Sequence, residues 1–278
     1  MKPAVFDLKH ARNVGDAVEI LAGSDGNGKV MAGGQSLGPM LNLRLTRPKL
    51  LVDIKRAEGF REFAADDKVF SIGAGWTHGE IEDGMIEDPT QGLLKFVAHG
   101  IAYRAVRNRG TMGGSLAHAD PAADWVTTLG ALGATIVAQG TAKQPKRYAA
   151  ETFVEGAFMT KLAENEVIVA IEVPRLSPRA KWAYYKICRK TGEFANAIGV
   201  AILDQKTGMT RVLAGATDGS PAVLPRTAVR LAEAGPEAAC LLVADELEEM
   251  LPNSNADTRE LHAVAVRRAL MQIVKEHD

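Results

Sequence analysis

Cysteine is scarce in this 278-residue sequence, which contains only Cys188 and Cys240. Two thiols cannot supply the four thiolates of a typical iron–sulfur cluster. They also do not form the dense disulfide framework of a small secreted protein, so the cysteine content favours a reducing, cytoplasmic environment. The net charge of −1 lacks the basic excess of a nucleic-acid-binding protein.

Long apolar segments, internal repeats and low-complexity stretches are also missing. The stretch 125–139, the apolar part of an uncharged segment, is shorter than the roughly 20 residues that a membrane-spanning helix needs, so no membrane span is predicted. The fractions of hydrophobic (46%) and charged (24%) residues are ordinary. The sequence therefore predicts a soluble globular protein with one large or two smaller domains.

Two glycine-rich runs are the most informative features that are present. Residues 32–37 are Ala-Gly-Gly-Gln-Ser-Leu, and residues 111–115 are Thr-Met-Gly-Gly-Ser. Paired glycines let backbone N–H groups approach a ligand, and convergent N–H groups bind anions such as phosphate. Gly33 and Gly114 are predicted to lie where a side chain would block the phosphate, and at positive φ. The pair of runs indicates a ligand with two phosphates, or one phosphate group contacted from both sides.

Residue patterns predict three regions along the chain. Helix and strand alternate over 1–55, with a parallel strand–helix–strand unit around the first run, and 56–175 is a mixed region. Prolines at 174 and 178 mark a predicted domain boundary, and 176–278 is predicted to form an antiparallel hairpin with helices.

Helix boundaries are predicted from capping residues. Asn13 is predicted to cap a helix that ends near Ala22, and Asp120 to cap one with Pro121 in its first turn. Further helices are predicted over 37–45, from Thr77 onward, and over 226–234, 236–250 and 257–276.

Several catalytic motifs are matched only in part. Residues 23–30 have P-loop spacing, but Val30 replaces the required hydroxyl residue and the run precedes a strand instead of following one. Residues 73–78 lack the third glycine of a dinucleotide fingerprint. His118 has no companion ligands at metal-binding spacing, so no metal site is predicted.

Residues 34–38, Gly-Gln-Ser-Leu-Gly, match the G-x-S-x-G turn that carries the nucleophile of many serine hydrolases. Only about one strand precedes Ser36, and no histidine occupies an obvious position for the base that such a hydroxyl needs. A serine hydrolase with Ser36 as nucleophile therefore stays open as an alternative function.

The residues that flank the glycine runs extend the pattern. The first run continues through Pro39 to Leu-Asn-Leu-Arg-Leu at 41–45, and the second lies within 101–124, which includes Ala-Asp-Pro-Ala-Ala-Asp at 119–124. With these motifs the chain resembles the FAD-binding medium subunits of the molybdenum hydroxylases, the carbon monoxide dehydrogenase and xanthine dehydrogenase group. Weaker similarity covers 51–54, 166–168 and 189–195. Gly38 departs from the larger apolar residue that is usual in the family, which concerns local helix packing only.

The resemblance implies an α+β fold: a two-part α/β FAD-binding domain of PCMH type over 1–175, with subdomains of about 1–55 and 56–175, and a small C-terminal domain of antiparallel sheet plus helices over 176–278. In the family, backbone amides of both runs and nearby hydroxyl groups hold the FAD pyrophosphate. The resemblance assigns no catalytic residue and no metal ligand to this chain. It assigns FAD binding to Ala32, Gly33, Gly34, Gln35, Ser36, Leu37, Ile101, Thr111, Gly113, Gly114, Ser115, Ala117, Asp120, Asp124, Ile168 and Lys186.

The function implied by the resemblance is electron transfer within a cytoplasmic complex. Partner subunits would carry the other centres: [2Fe-2S] clusters on an iron–sulfur small subunit and a molybdopterin-type molybdenum cofactor on a large subunit, assembled as a dimer of heterotrimers. Electrons would pass from the clusters to FAD on this chain and then to an external acceptor whose identity is open.

Overall fold

The computed structural model of the protein describes residues 2–273, which form three parts in sequence order. The first part consists of β1 (Asp7–His10), α1 (Val14–Ala22), β2 (Gly28–Met31), α2 (Leu37–Asn42) and β3 (Leu50–Asp53). Its strands form a parallel sheet in the order β1-β3-β2. The predicted strand–helix–strand unit is confirmed, and Asn13 caps α1 by accepting a hydrogen bond from the Asp16 N–H (2.9 Å).

The second part consists of β4 (Phe63–Ala65), β5 (Val69–Gly73), α3 (His78–Glu82), α4 (Leu93–His99), α5 (Arg104–Arg107), α6 (Met112–His118), α7 (Asp124–Ala131), β6 (Thr135–Gln139), β7 (Lys146–Ala149), β8 (Val154–Gly156), β9 (Met159–Thr160) and β10 (Val167–Pro174). Five of its strands form an antiparallel sheet in the order β4-β5-β10-β6-β7, and β8 and β9 form a separate antiparallel pair. Every residue of α7 is buried, so the uncharged run 125–139 is a core segment.

The prediction that a helix starts at Asp120 and Pro121 is wrong. One carboxylate oxygen of Asp120 accepts a hydrogen bond from the Ala122 N–H (3.0 Å), which closes a turn, and α7 begins at Asp124. Aspartate closes such turns because its side chain reaches the backbone N–H two residues ahead. The predicted helix over 37–45 is also shorter, since α2 ends at Asn42.

The third part is an antiparallel sheet in the order β11-β12-β13-β14, covered on one face by helices. Its elements are β11 (Lys181–Ile187), β12 (Ala197–Asp204), β13 (Met209–Gly215), β14 (Ala222–Val223), α8 (Pro225–Cys240), α9 (Val243–Met250) and α10 (Ala256–Gln272). A kink at Gly235 (φ +83°) divides α8, at the predicted break between residues 234 and 236. The predicted single helix over 236–250 is wrong, because α8 ends at Cys240 and α9 begins at Val243. Residues 274–276 of the last predicted helix lie outside the described residues.

The second and third parts share a hydrophobic core. Trp125 of α7 is fully buried, and the same cluster includes Trp182 of β11 and Val200 of β12. Helix α7 packs against β12 and β13 of the third part. In residues 2–273, no helix has both the length and the apolar character that crossing a membrane requires.

Candidate functional site

A cavity of about 380 Å³ lies where the three parts of the chain meet. Both glycine runs line it, together with Asp124 and the segment 192–194 from the third part. Its volume is within the range of small-molecule and cofactor sites. Of the sixteen positions predicted to bind FAD, only Lys186 does not line this cavity.

The first glycine run presents a row of unused backbone donors to the cavity. The chain leaves β2, turns at Gly34 (φ +69°) and enters α2. Among the described residues, no acceptor is found for the N–H groups of 33–37. Successive free N–H groups around a left-handed glycine form an anion-binding concavity. This run therefore fits a phosphate.

The glycines bring the two runs into direct contact. A Cβ on Gly33 would lie 2.0 Å from the carbonyl oxygen of Arg109, just before the second run. Neither Gly33 nor Gly114 has positive φ, so that prediction is wrong, and Gly34 is the residue that requires it. Close approach of two backbones, not backbone conformation, accounts for glycine at position 33.

The second run differs from the predicted arrangement because most of its amides already have acceptors. Met112 donates to the Trp76 carbonyl (3.1 Å), Gly113 to the Ala74 carbonyl (3.0 Å), Gly114 to Thr111 Oγ1 (3.0 Å) and Ser115 to the Thr111 carbonyl (3.0 Å). Among the described residues, the donors of this run without an acceptor are the Thr111 N–H and the hydroxyl groups of Thr111 and Ser115, and both residues line the cavity. The first run thus offers mainly amides and the second run mainly hydroxyls.

A buried ion pair closes one side of the cavity. The Asp124 carboxylate accepts hydrogen bonds from Lys186 Nζ (2.9 and 3.1 Å) and from the Tyr184 hydroxyl (2.5 Å). Burial, followed by the charge of Asp124, raises the pKa of Tyr184 well above 10, so this hydroxyl stays protonated and donates. Lys186, predicted as a cofactor contact, is therefore joined to the cavity through Asp124.

The cavity lining includes residues that were not predicted to bind the cofactor. Ala102 lines the cavity with φ +44°, a left-handed conformation that alanine rarely adopts. A Cβ on Gly192 would lie 2.6 Å from the Ala102 carbonyl oxygen, so the segment 192–194 packs against this loop. Phe158 and Leu162 also line the cavity, and no sequence signal marked them.

Arg107 holds the loop at Ala102. Its Nη1 donates to the carbonyl oxygens of Ile101 (3.0 Å) and Ala102 (3.1 Å), while Nε and Nη2 donate to the Glu82 carboxylate (2.7 and 3.0 Å). This bidentate pair fixes the guanidinium plane, and with it two carbonyl groups of the cavity wall.

We expect the Glu82 network to contribute to acid stability. Hydrogen bonds from Arg107, and also from His99 and Arg104, lower the pKa of Glu82 to about 2. A carboxylate whose pKa is lower in the folded state stabilises it above the unfolded pKa of about 4.5, and that stabilisation is lost as pH falls toward 2. Urea unfolding of Glu82→Gln should therefore depend less on pH between 4.5 and 2 than unfolding of the parent chain. The exposed Glu233→Gln should follow the parent, and an unchanged slope for Glu82→Gln would contradict the assignment.

The geometry does not support Ser36 as a nucleophile. Within residues 2–273 its hydroxyl has no hydrogen-bond partner, and its backbone is right-handed helical (φ −99°, ψ −49°), unlike the strained turn of a hydrolase elbow. His78 and His118 line the same cavity, but Nδ1 of His78 accepts from Trp125. The described residues also contain no cluster of His, Cys, Asp or Glu that could hold a metal ion.

Comparison with known proteins identifies the family. Residues 4–176 match the family described as "FAD binding domain in molybdopterin dehydrogenase". The chain belongs to this FAD-binding family. Two curated relatives of this FAD-binding protein are each 37% identical to it over 76% of the chain and 72% of their own length. They are the 6-hydroxypseudooxynicotine dehydrogenase complex subunit alpha of Paenarthrobacter nicotinovorans and the carbon monoxide dehydrogenase medium chain of Hydrogenophaga pseudoflava.

Solved structures confirm the fold class of this FAD-binding protein. Carbon monoxide dehydrogenase from Hydrogenophaga pseudoflava matches with a TM-score of 0.89 and 30% identity over 98% of both chains. Quinoline 2-oxidoreductase from Pseudomonas putida 86 matches with a TM-score of 0.86 and 27% identity over 98% of both chains. The resemblance given by the glycine runs and their flanks is therefore confirmed, and the chain is an FAD-binding oxidoreductase subunit.

The cavity residues fit FAD on their own evidence. The free N–H groups of 33–37 need an anionic acceptor, and a side chain at position 33 would fill the space between the runs. The hydroxyls of Thr111 and Ser115 face the same cavity. A diphosphate uses several donors of this kind at once.

Proposed function

We propose that this chain is the FAD-carrying electron-transfer subunit of a molybdenum hydroxylase complex. Electrons would leave a molybdenum cofactor on a large subunit and pass through [2Fe-2S] clusters on an iron–sulfur small subunit. They would then reach FAD on this chain and pass to an external acceptor. We further propose a cytoplasmic dimer of heterotrimers, in which this chain divides into an FAD-binding domain (1–175) and a C-terminal domain (176–278).

The observation that carries the proposal is the row of free N–H donors at 33–37 beside the Thr111 and Ser115 hydroxyls. We infer that these groups bind the pyrophosphate. The redox chemistry is that of the isoalloxazine ring, which needs binding, orientation and an electrostatic environment from the protein. No nucleophile or acid–base pair is required of the protein for that role.

The Asp124–Lys186 pair supports a positioning role for the third part of the chain. The carboxylate lies on α7 and the ammonium group on β11, so the pair joins the predicted FAD-binding and C-terminal domains at the cavity. We propose that Asp124 contacts the cofactor, together with Ile101, Ala117, Asp120 and Ile168, which line the same space, and that Lys186 positions the Asp124 carboxylate.

We expect the full chain to bind one equivalent of FAD. Isothermal titration of apoprotein with FAD should give 1:1 binding, and flavin fluorescence should change on addition of protein. Co-purification with an iron–sulfur subunit should yield a complex with both flavin and cluster absorbance. Failure to bind FAD, alone and with those partners, would overturn the proposal.

A further inference from the structure

His78 lies directly behind the second glycine run. It is the first residue of α3, and its backbone N–H donates to the Gly110 carbonyl oxygen (2.9 Å). A Cβ on Gly110 would lie 2.9 Å from both Cδ2 and Nε2 of the imidazole, so this ring edge is in contact with Gly110. The side chain is 5% exposed and lines the cavity.

Trp125 determines which imidazole nitrogen carries the proton. The indole Nε1–H lies 3.0 Å from Nδ1 of His78, and an indole nitrogen can only donate. Nδ1 is therefore the acceptor, and the neutral ring carries its proton on Nε2. Burial, together with the charge of Arg107, lowers the pKa of His78 to about 4, so the ring is neutral near pH 7.

The Nε2–H group has no acceptor in the part of the chain that the structure describes. Because His78 lines the cavity, this donor is available to a group bound there. Gly110, which contacts this ring edge, also lies where a Cβ on Gly33 would approach within 2.8 Å. The imidazole edge and the first run therefore both approach Gly110.

We propose that His78 is a further cofactor-binding residue, whose Nε2–H donates a hydrogen bond to a pyrophosphate oxygen of FAD. The inference rests on the proposed function, because it adds a side-chain donor to the amides of 33–37. Trp125 acts as a positioning residue that holds the ring in the donating tautomer.

Two substitutions separate this role from a structural one. In His78→Asn the short side chain can still accept from Trp125 through Oδ1, but it lacks a donor at the position of Nε2. In His78→Gln the longer side chain can place an N–H near that position, but it does not reproduce the Nδ1 acceptor. His10→Asn is the matched control, since His10 is exposed on β1 and is not among the residues that line the cavity.

Binding of FAD and of ADP-ribose, which keeps the pyrophosphate and lacks the flavin, should be titrated for the full-length variants. Loss of one hydrogen bond to a charged oxygen should weaken His78→Asn for both ligands by about 10- to 100-fold, with a thermal midpoint near that of the parent. His78→Gln should bind within about threefold of the parent but melt at a lower temperature. His10→Asn should bind both ligands as the parent does.

The same titrations supply the results that would overturn the inference. Parent-like binding by His78→Asn would show that His78 makes no contact with the ligand. Weak FAD binding with unchanged ADP-ribose binding would show that the acceptor is not the pyrophosphate. Loss of affinity and thermal stability in parallel for both variants would indicate a structural role. Failure of the parent chain to bind FAD would instead overturn the proposed function.

Discussion

Replacement of Gly33 by valine should abolish stoichiometric FAD binding. A Cβ at this position would lie 2.0 Å from the Arg109 carbonyl oxygen and 2.6 Å from its carbonyl carbon, so a backbone segment must move. The movement would separate the first run from the second and misalign the N–H groups of 33–37. Loss of only two hydrogen bonds to charged groups, at about 1.5–3 kcal/mol each, weakens binding about 100-fold or more.

Gly38→Ala is the control for this substitution. A Cβ on Gly38 has no neighbouring atom within 4 Å, although the residue belongs to α2 beside the same run. FAD titration should give parent-like affinity for Gly38→Ala and no measurable 1:1 binding for Gly33→Val. Gly33→Ala adds only the clashing Cβ, and circular dichroism would establish that it remains folded. Normal FAD content in Gly33→Ala and Gly33→Val would show that contact between the runs is not needed for the site.

The parts of the site that could be predicted are those encoded by contiguous residues. Each glycine run has its own signal, and the cap at Asn13 depends on a residue three positions away. The amides of Met112 and Gly113 are different, since they donate to the carbonyl oxygens of Trp76 and Ala74 in the connection after β5. No local pattern shows that these two donors are already used.

The part of the cavity wall around Ala102 could not be predicted from the sequence because it is formed by long-range contacts. Arg107 belongs to the segment 101–124 that carries the resemblance. Its hydrogen bonds to the carbonyl oxygens of Ile101 and Ala102 form only because the side chain folds back toward the preceding turn. Gly192 meets Ala102 across about ninety residues of chain, and the clash that requires glycine there exists only in the folded state. Strand β1 was missed because all four of its residues are exposed, which leaves no alternating pattern.

We expect Asp124→Ala to destabilise the fold more than a surface substitution could. Its carboxylate is 6% exposed and Lys186 is 11% exposed, so removal of the carboxylate leaves an ammonium group buried without its counter-charge. The Tyr184 hydroxyl loses its acceptor at the same time. Breaking a buried pair in this way costs about 3–5 kcal/mol. Urea unfolding at pH 7 should measure the loss.

A double substitution distinguishes the buried charge from lost packing. In Asp124→Leu with Lys186→Met no buried charge remains, so its free energy of unfolding should lie closer to the parent than that of Asp124→Ala. A double-mutant cycle of Asp124→Leu, Lys186→Met and the double variant should give a coupling energy well above about 0.3–0.5 kcal/mol, the deviation from additivity expected between independent sites. Additive effects would show that the ion pair does not stabilise the junction of α7 with β11. FAD affinity should remain low in the double variant even where stability returns, because the cavity has lost its carboxylate.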